Sequence, residues 1–122
     1  MLWREVGALN LSGLNKIAYF AGILDGEGSF FMEKNRGEIY YPTISCEMTD
    51  EDVILSLRKF FKVGHVTKIN PRKKHWKISY RWRVRNQPAV DILKEILKYL
   101  SIRRKAKAKF LIKEHKNVVK RN

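Results

Sequence analysis

The segment 75–85 alternates strictly between apolar or aromatic residues and polar or basic residues. Because successive side chains of a β-strand point to opposite faces of the sheet, this period of two predicts a strand that buries one face and leaves the other open. The apolar face carries Trp76, Ile78, Tyr80, Trp82 and Val84, and the polar face carries Lys77, Ser79, Arg81, Arg83 and Arg85. The chain must therefore fold into a sheet that is packed on one side and basic on the other.

The flanking sequence predicts the remaining elements. Ser12, Asp50 and Pro88 are suited to helix starts, and Gly26 and Gly28 are suited to ending the first helix. The predicted elements are a helix at 13–25, strands at 29–34 and 39–48, a helix from Thr49 or Asp50 to about 61, strands at 65–69 and 75–85, a helix to about 100, and a basic helix at 103–115. This order predicts an α+β fold with two hairpins.

Size and composition suit one domain. The chain has 122 residues, of which 44% are hydrophobic. That is enough apolar material for one packed core, and no low-complexity linker divides it. We expect a single domain over 1–122, with its core at about 13–115 and a frayed tail at 116–122.

The net charge narrows the choice of partner. The 26 Lys and Arg against 12 Asp and Glu give a formal charge of +14. A polyanion is therefore the expected partner, with a nucleic acid or an anionic membrane as the candidates. The longest apolar run, 17–24, has eight residues, whereas a membrane span needs roughly 20. We expect no membrane span, and an intracellular protein in the cytoplasm of a prokaryote or in an organelle.

The basic residues cluster on the predicted sheet. Eleven Lys or Arg and no acidic residue occur between Asp52 and Asp91. A β-ribbon fits the major groove of DNA, where Arg pairs with guanine and other polar side chains contact other base edges. The residues predicted to contact DNA are Glu33, Asn35, Tyr41, Thr43, Ser45, Glu47, Lys68, Lys77, Ser79, Arg81, Arg83 and Arg85. The alternative is a solvated basic face that prevents edge-to-edge aggregation.

A short acidic motif follows the first predicted helix. Asp25-Gly26-Glu27-Gly28 offers oxygen ligands and flexible backbone for a divalent metal such as Mg²⁺. An EF-hand calcium loop is disfavoured, because Phe30 occupies its glycine position and Arg36 its final glutamate position. Simple helix capping by Gly and Asp is the plainer interpretation.

The helix before that motif has a stripe of small residues. Ala18, Ala21, Gly22 and Asp25 share one narrow face, and small side chains let two helices approach closely. Two copies of the chain paired along this stripe would bring their Glu27 carboxylates together. We therefore expect a dimer interface at these four residues.

The segment 19–30, Tyr-Phe-Ala-Gly-Ile-Leu-Asp-Gly-Glu-Gly-Ser-Phe, resembles the signature of the LAGLIDADG homing endonucleases. With Phe20 at the first leucine position and Ile23 and Leu24 at later apolar positions, the resemblance extends over about 13–115. It implies an αββαββα core with a four-stranded antiparallel, saddle-shaped sheet and an additional C-terminal helix. It also implies a homodimer that cuts double-stranded DNA at a long pseudopalindromic site, encoded within an intron or intein, with intron RNA as a possible further partner.

The resemblance also implies roles for individual residues. Glu27 takes the position of the metal-binding acid, with the Gly26 carbonyl as a second ligand. The metal is expected to be Mg²⁺, and Mn²⁺ or Ca²⁺ can occupy the same site. Asp50 corresponds to a position that organises the catalytic water. Arg103 corresponds to a lysine that stabilises charge at the cleavage centre, although Arg104 and Lys105 lie close enough to substitute.

Two residue types are expected to have no part in the chemistry. Cys46 is the only cysteine and lies between apolar neighbours, so we expect a buried structural thiol. The histidines at 65, 75 and 115 lack metal-ligand spacing. The rival functions are a non-catalytic binder on the same fold, such as an RNA-splicing maturase or a transcription regulator, and a basic protein of ribosomes or membrane surfaces.

Overall fold

In the computed structural model, which describes residues 13–37 and 39–121, the first element is helix α1, Gly13–Glu27. The predicted cap at Ser12 lies outside the described residues. The sequence predicted that Gly26 would end α1, but the helix continues through Gly26 to Glu27. The chain leaves the helix at Gly28, where an added Cβ would lie 2.6 Å from the Leu24 carbonyl oxygen. A residue with a side chain does not fit at Gly28 without a shift of the backbone.

Four antiparallel strands form the sheet. They are β1, Gly28–Lys34; β2, Tyr40–Met48; β3, His65–Ile69; and β4, Ser79–Arg85. Their order across the sheet is β1-β2-β4-β3, which confirms both predicted hairpins. Strand β4 begins later than expected, because its partner β3 ends at Ile69, opposite Ser79. Lys77 therefore lies in the connecting loop and not on the strand.

The helices pack on one face of this sheet. Helix α2 is Glu51–Phe61, helix α3 is Asn86–Ile96 with a 3₁₀ turn at Leu97–Tyr99, and helix α4 is Ile102–Arg121. Asp50 occupies the N-cap position of α2, although its side chain makes no capping hydrogen bond. The basic last helix runs past its predicted end at 115, since no glycine or proline follows to stop it. The described part of the chain contains no helix able to cross a membrane.

The core lies between the helices and the even-numbered side chains of the two central strands. Ile44 and Trp82 are fully buried, and Cys46 is 1% exposed. Trp82 Nε1 donates a hydrogen bond of 2.9 Å to the Val63 carbonyl, so its one polar atom is satisfied. Gly64 has φ +96°, and a Cβ there would lie 2.6 Å from Trp82 Nε1, so only glycine fits beneath this ring. The α+β architecture and the buried cysteine are confirmed.

Candidate functional site

The acidic motif places one exposed carboxylate at the end of α1. Glu27 is exposed and forms no hydrogen bond or ion pair with any other described residue. Burial, and to a lesser extent the negative charge of Glu27, raise the pKa of the Cys46 thiol to about 11. Glu27 therefore lies near the start of β1 and the end of β2, where Gly28 pairs with Cys46; we call this the inner end of the sheet.

Asp50 lies at the same end of the sheet. The pairing of Gly28 with Cys46 directs the end of α1 toward the end of β2, and Asp50 follows β2 by two residues. Asp50 is exposed, and its carboxylate is not used to cap α2. The fold thus brings two accessible carboxylates, Glu27 and Asp50, to one edge, although their assigned roles remain predictions.

The start of α4 is tied to the end of α1. Asp25 accepts hydrogen bonds from the backbone N–H and the hydroxyl of Ser101, each at 2.9 Å. These bonds, led by the one from the Ser101 backbone and helped by the nearby charge of Arg104, hold the pKa of Asp25 below its usual value despite partial burial. Asp25 was expected in a dimer interface; here it joins two helices of its own chain.

Two adjacent arginines at the start of α4 differ in their surroundings. Arg104 donates a hydrogen bond to the Gly28 carbonyl and lies over the Phe30 ring, 5.7 Å from its centroid. Arg103 is exposed and has no partner among the described residues. Arg104 therefore holds the inner end of β1, whereas Arg103 remains available to a ligand. The role predicted for Arg103 stays a prediction.

The face of the sheet opposite the helices is lined by odd-numbered side chains. On this open face, Glu47 Oε1 lies 2.9 Å from Arg81 Nη2, and Glu47 Oε2 accepts a hydrogen bond of 3.2 Å from the Ser79 hydroxyl. Arg81 Nε makes a second bond, of 3.2 Å, to the same Glu47 oxygen. The register explains this contact, because Glu47 and Arg81 are direct partners on β2 and β4.

A second acidic residue organises the outer end of the open face. Glu33 Oε1 lies 3.5 Å from Arg83 Nη1, and Glu33 Oε2 lies 3.3 Å from Arg85 Nη2. The Tyr41 hydroxyl donates to Glu33 Oε2 at 2.5 Å, and this bond is the main reason the pKa of Tyr41 is raised. The arginines also lie over aromatic rings, Arg83 over Phe31 and Arg85 over Tyr41.

Several predicted DNA contacts need correction. Thr43 is fully buried and Ser45 is 8% exposed; both lie on the open face but are covered where they pair with Arg85 and Arg83. Lys68 pairs with Tyr80 and so lies on the helix side of the sheet. The long side chains beside them cover Thr43 and Ser45, whereas Lys68 is an even-numbered residue and therefore points to the helix side.

Two other predicted DNA contacts, Lys77 and Asn35, lie in the loops that connect the strands. Lys77 is exposed in the β3–β4 loop. The Asn35 side-chain oxygen accepts hydrogen bonds from the backbone of Gly37 and Ile39, at 2.9 and 3.0 Å, and so organises the β1–β2 turn. The sequence interpretation missed His65 and Thr67, which pair with Arg83 and Arg81 and share the open face. The alternation of β3 around the apolar Val66 was the signal for them.

The outer face of α1 is narrower than the predicted stripe. Ala21 is fully buried in its own chain, so it offers no surface to a partner and is removed from the expected interface. Gly22 and Gly26 are exposed, and nothing lies within 4 Å of a Cβ added at either position. Tyr19, 58% exposed, continues the same side of the helix. These residues leave the helix backbone accessible along one line.

The donor set at the end of α1 suits a hard divalent cation but is incomplete in one chain. Within 13–37 and 39–121, no group of three or more His, Cys, Asp or Glu side chains converges on a metal position. The exposed Glu27 carboxylate and the neighbouring Gly26 carbonyl are oxygen donors of the kind that Mg²⁺ and Ca²⁺ prefer. A second set of donors, from another copy or from a phosphate, would complete the coordination.

Comparison with known proteins assigns the chain to a class. The sequence model of the LAGLIDADG endonucleases matches residues 20–116, and the chain belongs to this family. No curated protein sequence gave a significant match.

Solved structures of homing endonucleases share the fold. I-CvuI, solved in complex with its target in the presence of Ca, superposes with a TM-score of 0.69 at 19% identity, over 86% of this chain and 68% of its own. The archaeal intron-encoded I-Vdi141I, complexed with DNA, gives 0.57 at 15% identity over 88% and 84%. I-TnaI gives 0.56 at 26% identity over 81% and 70%. The predicted fold and family resemblance are thereby confirmed.

Proposed function

We propose that this chain is a site-specific DNA endonuclease of the homing type, which works as a homodimer with a divalent metal. The observation that carries the proposal is the position of Glu27. An accessible carboxylate lies at the end of α1, beside the inner end of the open face that carries three arginines. Family membership and the DNA complexes of I-CvuI and I-Vdi141I support a duplex as the substrate.

The dimer follows from the outer face of α1. Gly22 and Gly26 stand one turn apart with open space at each Cβ position, so the backbones of two such helices can approach closely. A two-fold axis beside these glycines would place both Glu27 carboxylates at the centre of the assembly. The two open faces would then continue each other and match a roughly palindromic duplex.

The chemistry we propose is hydrolysis of one phosphodiester in each strand. Glu27 and the Gly26 carbonyl would hold the cation, which when bound supplies positive charge at the phosphate and makes a water more acidic. A water oxygen attacks phosphorus and releases a proton to solvent, while the P–O bond to one sugar oxygen breaks and that oxygen takes up a proton from solvent to become a hydroxyl. Asp50 accepts a hydrogen bond that orients this water, and Arg103 donates to the phosphate oxygens as their charge increases.

The supporting residues have a different role in this proposal. Asp25 and Arg104 contact the Ser101 backbone and the Gly28 carbonyl, respectively, and so position the start of α4 beside the end of α1. Mg²⁺ is the proposed ion, with Mn²⁺ or Ca²⁺ able to occupy the same oxygen donors. An intracellular setting and a gene within an intron or intein belong to the same proposal.

The test begins with the unknown target. Full-length protein is incubated with a library of random duplexes in Ca²⁺, and the bound fraction is amplified, reselected and sequenced. The selected duplex, labelled on both strands, is then incubated with Mg²⁺ or with EDTA. We expect cuts in both strands with Mg²⁺ and none with EDTA. A duplex that is bound but stays whole with Mg²⁺ or Mn²⁺ would identify a non-catalytic binder, and stronger binding to structured RNA would identify a maturase.

A further inference from the structure

The open face of this strongly basic chain carries two carboxylates, Glu33 and Glu47, which lie beside its arginines. Glu33 contacts β2 through Tyr41 and β4 through two arginines, Glu47 contacts two residues of β4, and both oxygens of each carboxylate are engaged. A glutamate that contacts a cytosine amino group accepts a hydrogen bond from it. In Glu33 and Glu47 such a bond would compete with the contacts that both carboxylates already make within the sheet.

The arginines they hold are the cations that would bind DNA phosphates. Arg81, Arg83 and Arg85 each have a guanidinium nitrogen within 3.5 Å of a carboxylate oxygen. A guanidinium paired in this way has part of its charge neutralised and some of its donors occupied. To offer its full charge and all its donors to a phosphate of the DNA backbone, it must first leave its carboxylate.

An alternative position for an anion lies beside the same arginines. A cavity of about 420 Å³ opens next to β3, and its polar lining includes His65, Thr67, Arg81, Arg83 and Arg85. The glutamates lie on the other side of these arginines, on β1 and β2. Arg83 Nε is buried and has no hydrogen-bond partner among the described residues, so a movement of this side chain would break no hydrogen bond at Nε.

We propose that Glu33 and Glu47 are specificity residues, which hold the arginines of the open face away from non-specific phosphates. A random duplex offers only backbone charge, so it must compete with both carboxylates. A matched duplex also offers base edges, which can accept hydrogen bonds from the arginine donors that the carboxylates leave free. The two glutamates therefore weaken general DNA binding more than binding to the target. This inference rests on the proposed function as a duplex-binding nuclease.

The simplest alternative is that the carboxylates only stabilise the fold. The Arg81 and Glu47 side chains are 37% and 44% exposed, and ion pairs this open to water contribute little to stability. The Glu33 side chain is only 22% exposed, but glutamine at this position keeps an oxygen acceptor for the Tyr41 hydroxyl. Substitution by glutamine should therefore leave both variants folded. It retains a similar shape and a hydrogen-bonding group while removing the negative charge.

The experiment measures the binding of full-length Glu33→Gln, Glu47→Gln and double-variant protein to a random-sequence duplex across a salt series without Mg²⁺. The matched control is Glu95→Gln, because Glu95 is exposed on α3, away from the open face. We expect the double variant to bind the random duplex roughly tenfold more tightly, with a salt dependence steeper by about 0.9 for each arginine released. The control should change affinity less than twofold.

The selected target duplex supplies the second readout. In each of the three glutamine variants, the affinity for the target should rise less than the affinity for the random duplex. The ratio of target affinity to random-duplex affinity should therefore fall. Equal behaviour of the double variant and Glu95→Gln would overturn the inference, as would an unchanged ratio. Wild-type protein that binds no duplex at any salt concentration would instead overturn the proposed function.

Discussion

Asp25 Oδ1 lies 2.9 Å from both the backbone nitrogen and the hydroxyl oxygen of Ser101, a residue 76 positions later in the chain. Ser101 immediately precedes α4, and its carbonyl accepts the first hydrogen bond of that helix, from Lys105 at 2.7 Å. The carboxylate thus fixes the start of the basic helix against the end of α1. The spacing of Glu27 and Arg103, the two residues proposed to act on phosphate, depends on this junction.

The Asp25 junction should make stability depend on pH. The folded-state pKa of Asp25 lies below that of an unfolded aspartate, so its contribution to the free energy of unfolding is present at neutral pH and is lost as the pH falls through about 4 and below. We expect Asp25→Asn to cost about 0.5–1 kcal/mol at pH 7, because it weakens two charge-assisted hydrogen bonds at a partly solvated site. Chemical denaturation of wild type and Asp25→Asn at pH 7 and at pH 3 measures the difference in the free energy of unfolding at each pH.

At pH 3 the Asp25→Asn protein and the wild type should differ by less than at pH 7. Asp91→Asn is the control, because Asp91 is an exposed carboxylate of α3 that accepts one side-chain bond, from Gln87. A difference between Asp25→Asn and wild type that stays the same at both pH values would contradict the assignment.

The proposed dimer makes a clear prediction at Gly22. A Cβ added at this exposed position meets no atom within 4 Å in the single chain, and leucine favours a helix over glycine by about 0.5–1 kcal/mol. Gly22→Leu should therefore fold normally but block the close approach of two α1 helices. Sedimentation velocity is expected to show a dimer for wild type and a monomer for the variant.

The matched control for Gly22→Leu is Ala106→Leu, which adds the same side chain at an exposed position of α4. It should remain dimeric. A Gly22→Leu protein that sediments as a dimer would exclude pairing along this line of α1.

The Cys46 thiol should be inert in the folded protein. Its pKa is raised to about 11 and the residue is 1% exposed, whereas an unfolded cysteine has a pKa near 8.5. Because the thiolate is the reactive form, we expect its reaction with a disulfide reagent at pH 8 to be at least roughly a hundredfold slower in native protein than in denaturant. Cys46 is the only cysteine, so the signal has one source. Equal rates would mean that this part of the core opens readily.

The sequence was sufficient for the order of the elements. The alternation that ends at Arg85 identified the sheet and its two faces, because a period of two has one structural meaning. It could not place the start of β4, which depends on where the partner strand ends at Ile69. The sequence also predicted too early an end for α1, just before Gly26, because a glycine near the end of a helix can either stop the helix or be part of it.

The site was only partly accessible from the sequence. The position of Glu27 followed from the motif. The contact of Asp25 with Ser101 did not, because it joins two distant residues. Thr43 was predicted to contact DNA from strand parity, which gives the face but does not show that neighbouring long side chains cover it. Lys68 was also predicted to contact DNA, but its pairing with Tyr80 places it on the helix side of the sheet, and Thr67 lies on the open face instead.

The most direct test of the account separates cleavage from binding at Glu27. The selected duplex is incubated with Mg²⁺ and wild-type, Glu27→Gln or Glu95→Gln protein, and single-turnover cleavage and duplex affinity are measured on the same preparations. We predict that Glu27→Gln lowers the cleavage rate at least about a hundredfold. Its affinity should stay within a fewfold of wild type, and Glu95→Gln should match wild type in both. A Glu27→Gln protein that cleaves at the wild-type rate would contradict the account.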